Sequence, residues 1–179
     1  MASPPPHLRN RTIALVGLMG VGKSSVGRRL ATALDLPFKD ADTEIETAAG
    51  RSIPDIFATF GEAEFRDGER RVIGRLLEDG PMVLATGGGA FINEGTRALI
   101  AEKALSVWLK ADIDILARRV ARKDNRPLVQ GKDPLTALTA LAEVRYPIYA
   151  LADITVELGE TPHQESVAAI LRALEAHAA

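Results

Sequence analysis

The sequence predicts an α/β fold in which helices cover both faces of a mostly parallel sheet, and three features predict it. Short apolar runs alternate with segments of helical periodicity along the whole chain. The runs Thr12–Val16 and Pro81–Thr86 lack the polar alternation of half-exposed strands, as expected where both faces are buried. Each of these two runs ends in glycine, the signal of a tight connection out of a strand. Strands separated by helices are joined by crossovers, which place helices over both faces of parallel strands. With 179 residues, 46% of them hydrophobic, the chain is long enough for one substantial core.

Taken in order, residues 1–10 carry Pro4, Pro5 and Pro6 with no apolar stretch and are expected to form a flexible lead. Residues 11–179 are expected to form a single domain. After the first strand, Val26, Leu30, Ala33 and Leu34 recur at helical spacing with Arg28 and Arg29 off the stripe, so the first unit reads strand, loop, helix. A short strand around Phe38 precedes a helix carrying Ile45 and Ala48, which breaks at Gly50-Arg51-Ser52-Ile53-Pro54. Helices resume after the proline, with Phe65, Val72, Ile73, Leu76 and Leu77 on one side of Glu62–Glu78. Asn93 caps a helix through Ile100, Ala104–Leu109 reads as a strand, and Asp112 starts a helix bearing Ile113, Leu116 and Val120. The charged run Arg122–Pro127 is unsuited to a core; Pro134 then opens another helix at its first position. Ile154–Leu158 and Val167–Leu174 supply a last strand and helix.

The charge balance of 22 Lys+Arg against 24 Asp+Glu leaves a net −2, with no whole-protein field to hold a polyanion. No general nucleic-acid or membrane partner is therefore expected. The absence of cysteine excludes disulfides, thiolate metal sites and a cysteine nucleophile, and is compatible with a reducing cytosol. No stretch approaches the roughly 20 apolar residues of a membrane span, so the reading is a soluble, cytoplasmic chain.

Gly17-Leu18-Met19-Gly20-Val21-Gly22-Lys23-Ser24 matches the phosphate-binding loop pattern G-x-x-x-x-G-K-[ST] between a strand and a helix, the context that pattern requires. Small residues let backbone N–H groups turn toward phosphate oxygens, and the helix N-terminus adds positive potential. Lys23 reaches the outer phosphates and the Ser24 hydroxyl is suited to Mg²⁺. A tight turn with a solvated Lys would carry the same letters, but the flanking elements favour the phosphate loop.

What receives the phosphoryl group must be read elsewhere. Asp40-Ala41-Asp42 lies just past the second strand, where an extended backbone would project both carboxylates to one side. One carboxylate would hold Mg²⁺ and the other would accept a hydrogen bond or proton from an attacking hydroxyl. The bland alternative is that Asp42 caps the helix over Thr43–Ala49. Arg66, three residues before Glu69, reads in isolation as half of a solvated surface pair. Arg66 and Arg145 together, however, offer guanidinium forks for a small carboxylate. Gly87-Gly88-Gly89 at a strand end lets main chain approach a ligand. Arg118, Arg119, Arg122, Lys123 and Arg126 form a local basic cluster; a solvated face is its ordinary meaning, but an Arg on a flap can close over phosphates, with Arg126 before Pro127 the candidate. His7, His163 and His177 have no ligand or triad spacing and are assigned no chemistry. Trp108 and the phenylalanines read as core rather than as a base-stacking surface.

Taken together, the loop Gly17–Ser24, the Asp40/Asp42 pair, Gly61-Glu-x-x-Phe-Arg66, Gly87-Gly88-Gly89, Arg126-Pro127-Leu128 and Arg145 with Tyr149 resemble the shikimate kinase family. These are P-loop small-molecule kinases of the nucleoside-monophosphate-kinase-like fold. The resemblance implies a three-layer α/β/α architecture with five parallel strands in the order 2-3-1-4-5, a substrate-binding segment over residues 43–78 and a mobile lid over 121–132. It implies ATP-dependent phosphorylation of the 3-hydroxyl of shikimate by a monomer, giving shikimate 3-phosphate on the route to chorismate and aromatic amino acids. Carried onto this chain, Arg66 and Arg145 would bind the shikimate carboxylate. Asp42 would bind its hydroxyls and accept the proton, and Gly87–Gly89 would line its ring. Ser24 and Asp40 would serve Mg²⁺, while Lys23 and Arg126 would stabilise the transferring group. ATP would lie on Gly17, Gly20, Val21, Gly22, Lys23, Ser24 and Ser25, with Arg119 and Pro162 beside the adenine. Two rivals share parts of this pattern: a kinase acting on gluconate or a nucleoside monophosphate, and a non-catalytic ATP-binding module. The paired arginines argue against the first, and the intact Lys23, Ser24, Asp40 and Asp42 against the second.

Overall fold

The chain enters the sheet through one turn of helix, Pro6–Arg9 (α1), followed by Thr12–Val16 (β1), which is buried at every position. The computed structural model describes residues 6–122 and 133–178. Phe38–Asp40 (β2), Val83–Ala85 (β3), Ala104–Lys110 (β4) and Ile154–Glu157 (β5) complete a five-stranded parallel sheet in the order β2-β3-β1-β4-β5. That is the order the resemblance implied. Its centre, β1, is fully enclosed because partners flank it on both sides and helices lie above and below. At the edge, β5 alternates buried Ile154 and Val156 with exposed Thr155 and Glu157.

The crossovers supply the helices: Lys23–Leu34 (α2), Ala41–Ala49 (α3), Ile53–Glu78 (α4), Glu94–Lys103 (α5), Ile113–Val120 (α6), Pro134–Tyr149 (α7) and His163–Ala178 (α8). Helix starts follow the side chains that satisfy otherwise unpaired N–H groups. Ser52 accepts from Asp55 N, Asn93 from Thr96 N, and Asp133 from Thr136 N just ahead of Pro134. Asp112 precedes α6 as expected, but its side chain makes no capping bond. Within α4, Gly61 adopts φ 85° and ψ 171°, so the helix bends where the sequence had suggested a fresh start at Glu62. Among the described residues, no helix is long and apolar enough to cross a membrane.

Within the lead expected over residues 1–10, Pro6–Arg9 form a helical turn. Leu8 is 4% exposed and joins the core, which anchors this turn although its sequence has no apolar run. One apolar side chain was too little signal to read from sequence.

Because the strands are parallel, their C-terminal ends share one edge, where Asp40 ends β2 and Gly17, Thr86 and Ala111 follow β1, β3 and β4. Open sheets of this kind bind ligands along that edge. Thr86 ties two of the exits together: its N–H and its hydroxyl both donate to the Leu15 carbonyl, at 3.1 and 2.8 Å. The triple glycine therefore begins alongside the phosphate loop.

Candidate active site

A cavity of about 880 Å³ opens along this edge, lined by the phosphate loop, both members of the acid pair, α4, the triple glycine and the end of α6. Its two ends differ in chemistry.

At one end lies the loop. Gly20 and Gly22 adopt φ 86° and 97°, conformations that admit glycine readily, and Gly22 ends the loop at the N-terminus of α2. Lys23 folds back so that Nζ donates to the carbonyls of Gly17 and Leu18 at 2.6 and 3.1 Å. Ser24 Oγ donates to Asp40 Oδ2, while Asp40 Oδ1 accepts from Asp42 N and Thr43 N at 3.0 and 3.3 Å. Asp40, not Asp42, is thus the cap of α3. The expectation of an extended Asp40-x-Asp42 is corrected, since the helix starts at Ala41 immediately after the strand. Both carboxylates still line the cavity, one from the cap and the other from the first helical turn.

Gly20, Gly22, Ser24 and Ser25 line the cavity. The Val21 side chain is buried in the core, and Gly17 packs so closely on β4 that a Cβ would meet Leu109 O at 2.6 Å. Within the basic cluster Arg118 and Arg122 are exposed, while Arg119 is half-buried. Arg119 Nη1 donates to the carbonyls of Gly20 and Val21 at 3.2 and 3.4 Å, and Arg118 pairs with Glu160. Thr161, Pro162 and His163, the last read as lacking chemistry, also line the cavity. Arg126 lies outside the described residues, as does the expected lid apart from Ala121 and Arg122.

At the other end, three distant segments meet. A Cβ on Gly87 would lie 2.7 Å from Asp42 Oδ1; one on Gly88 would lie 3.3 Å from Arg145 Nη1; one on Gly89 would lie 2.2 Å from Arg66 Nη2. The three glycines are thus a strap against which an acid and two guanidinium groups rest, and any side chain there would displace them. Close approach, rather than freedom of φ, is the reason for glycine here.

Beneath the strap Arg66 Nη1 pairs with Glu69 Oε1 at 2.8 Å, and Glu69 is 0% exposed. The surface-pair reading of Arg66 and Glu69 is corrected: α4 turns this face inward. Burial pushes the Glu69 carboxyl up, against the pull of Arg66, with a further rise from Asp42. Among the described residues, its Oε2 and Arg145 Nη1 are buried without hydrogen-bond partners, on two residues that line the cavity. Buried polar atoms are nearly always paired, so these two mark where a polar ligand would find partners. Glu69 is read from sequence only as the surface partner of Arg66, yet it falls on the same stripe as Phe65, Val72, Ile73 and Leu76. A charged residue on an apolar stripe is seldom solvated. Phe57 and Phe65, with rings 4.7 Å apart, add an apolar wall, which went unread.

For a divalent cation the donor set is hard and sparse. Ser24 and Asp40 offer oxygens beside the loop, and no cluster of three or more acidic or histidine side chains exists among the described residues. This suits Mg²⁺, which keeps several waters and takes remaining ligands from phosphates rather than from a protein cage.

A phosphate loop on a parallel sheet in this order, beside a cavity with an acid and two arginines, defines a P-loop small-molecule kinase. The model of the shikimate kinase family matches residues 19–175. Over 172 residues the chain is 71% identical to a shikimate kinase of Caulobacter vibrioides, covering 96% of this chain and 86% of that protein. It is 56% identical over 174 residues to a shikimate kinase of Zymomonas mobilis, covering 97% and 99%. A solved shikimate kinase from Acinetobacter baumannii in complex with shikimate superposes with a TM-score of 0.90 at 36% identity, covering 93% of this chain and 94% of that one. The chain belongs to the shikimate kinase family.

Proposed function

We propose that the two ends of the cavity hold the two substrates of one reaction, transfer of the γ-phosphoryl group of ATP to the 3-hydroxyl of shikimate, the reaction of this family. The observation that carries the reading is the convergence of Asp42, Arg66 and Arg145 on the Gly87–Gly89 strap, next to the phosphate loop. A polyhydroxylated acid needs an anion clamp at one end and hydroxyl acceptors at the other. Arg66 and Arg145 are assigned the carboxylate, and Asp42 the hydroxyls.

Phosphoryl transfer requires alignment and charge neutralisation more than covalent help. Lys23 swings from its carbonyls to the outer phosphates, and Asp42 orients the attacking hydroxyl and takes its proton. Arg126, by the family resemblance, stabilises the transferring group. Arg119 and Pro162 flank the adenine. Ser24 and Asp40 would hold Mg²⁺, which supplies charge compensation between the phosphates when bound. The chain is read as a monomer, and cytoplasmic location fits the cysteine-free composition.

A coupled ADP-release assay with shikimate, gluconate and nucleoside monophosphates as acceptors tests this reading. Turnover is expected with shikimate; turnover only with a nucleoside monophosphate would overturn the assignment of the acceptor end. Tight ATP binding without transfer to any acceptor would favour a non-catalytic module.

A further inference from the structure

Tyr149 is fully buried and belongs to the inward stripe of α7, Leu138, Ala142, Arg145 and Tyr149, whose spacings of three and four put them on one face. Its hydroxyl donates to the carbonyl of Gly88, the middle of the strap. Arg145, one turn earlier on the same buried face, stands close enough for its charge to act on that hydroxyl. A Cβ on Gly88 would in turn lie 3.3 Å from Arg145 Nη1 and 3.6 Å from Met19 N in the phosphate loop. Phenol, guanidinium and strap thus form a three-way contact directly behind the cavity wall.

The ring itself has little freedom. Its centroid lies 5.7 Å from that of Trp108 and 6.4 Å from that of Tyr146, so the core, not the ligand, sets where the hydroxyl stands. Arg145 is different: its side chain is long, and its Nη1 is buried with no hydrogen-bond partner among the described residues. A long side chain needs an anchor to keep one donor aimed at a site, and the phenol is placed to serve as one. Burial, despite the neighbouring Arg145 charge, pushes Tyr149 up to about 12, so the phenol stays a donor at neutral pH.

We propose that Tyr149 is a positioning residue: bonded to Gly88 and set beside Arg145, its hydroxyl keeps the strap and the guanidinium in place at the cavity wall, and thereby sets the preference for a carboxylate over an uncharged acceptor of the same shape. This rests on the reading of Arg145 as a carboxylate ligand.

The test compares kcat/KM for shikimate and for its carboxamide in the parent, Tyr149→Phe, Tyr146→Phe and Arg145→Ala. Tyr149→Phe should reduce the acid-over-amide preference by up to about tenfold, the scale of one hydrogen bond. The change should enter through the KM for the acid, with kcat within about twofold. Tyr146→Phe removes a hydroxyl from the same aromatic cluster, one that reaches Ala111 O at 3.5 Å instead, and should keep the parental preference. Arg145→Ala should abolish it. If Arg145→Ala keeps the preference, the carboxylate reading falls. If Arg145→Ala loses it while Tyr149→Phe retains it, the role of Tyr149 alone is overturned.

A second measurement leaves Tyr149 in place. The chain has 2 tyrosines, so 3-fluorotyrosine in the Tyr146→Phe background labels Tyr149 alone. Its ¹⁹F resonance should move on saturation with shikimate and much less with the carboxamide; equal shifts with both, or none, would overturn the proposal.

Discussion

Arg66 lies so close beneath Gly89 that a Cβ there would stand 2.2 Å from Nη2 and 2.6 Å from Cζ. Gly89 itself has φ −98°, open to any residue, so alanine would strain the guanidinium and not the backbone. Gly89→Ala should therefore leave folding intact while pushing the fork off its position. The expected result is a shikimate KM raised about tenfold, the worth of a displaced charge-assisted hydrogen bond, with the ATP KM unchanged. Steady-state kinetics in both substrates check this; an unchanged shikimate KM would remove Arg66 from the carboxylate clamp.

Asp42 makes the corresponding contact with Gly87, 2.7 Å from a Cβ that is not there. Asp42→Asn keeps this shape but gives up the charge and the proton acceptor. A fall in kcat of about 100-fold or more is expected if it acts as a general base. Single-turnover rates measured at saturating shikimate provide the check. Parental kcat would reduce Asp42 to a ligand of the hydroxyls.

Lys23 spans the phosphate loop through its bonds to the Gly17 and Leu18 carbonyls. Lys23→Ala removes positive charge from the transferring group, and turnover should fall by about 100-fold or more, as when one electrostatic stabiliser is deleted. Thermal unfolding of the same variant separates this from lost structure. A variant that melts like the parent yet turns over normally would contradict the role.

Glu69 supplies a prediction in pH. Burial raises its folded pKa above the unfolded value, so the folded state holds this proton more tightly. Its contribution to stability is full below the ordinary glutamate value of about 4.3 and is lost as pH rises through the raised value. Glu69→Gln is uncharged throughout. Urea unfolding from about pH 4 to pH 8 should thus show the variant gaining on the parent as pH increases. A difference that stays flat, or shrinks, would mean that the Arg66 pair outweighs burial.

The sequence by itself determined what depends on neighbours along the chain: the phosphate loop between its strand and helix, the order of strands and helices, the cap at Asn93 and the helix start at Pro134. These are short-range effects of φ, hydrogen bonding and periodicity, and each is complete within a few residues. Family likeness added the strand order and assembled the acid and arginines into one site. Only the tertiary structure decided that Asp40 caps α3, that Arg66 and Glu69 form a buried pair, and that the three glycines leave room for Asp42, Arg145 and Arg66. Each of those outcomes turns on which face of a helix meets which strand end, a matter of packing between segments tens of residues apart. A solvated i,i+3 pair and a buried one are spelled alike; desolvation, which local spacing does not encode, separates them.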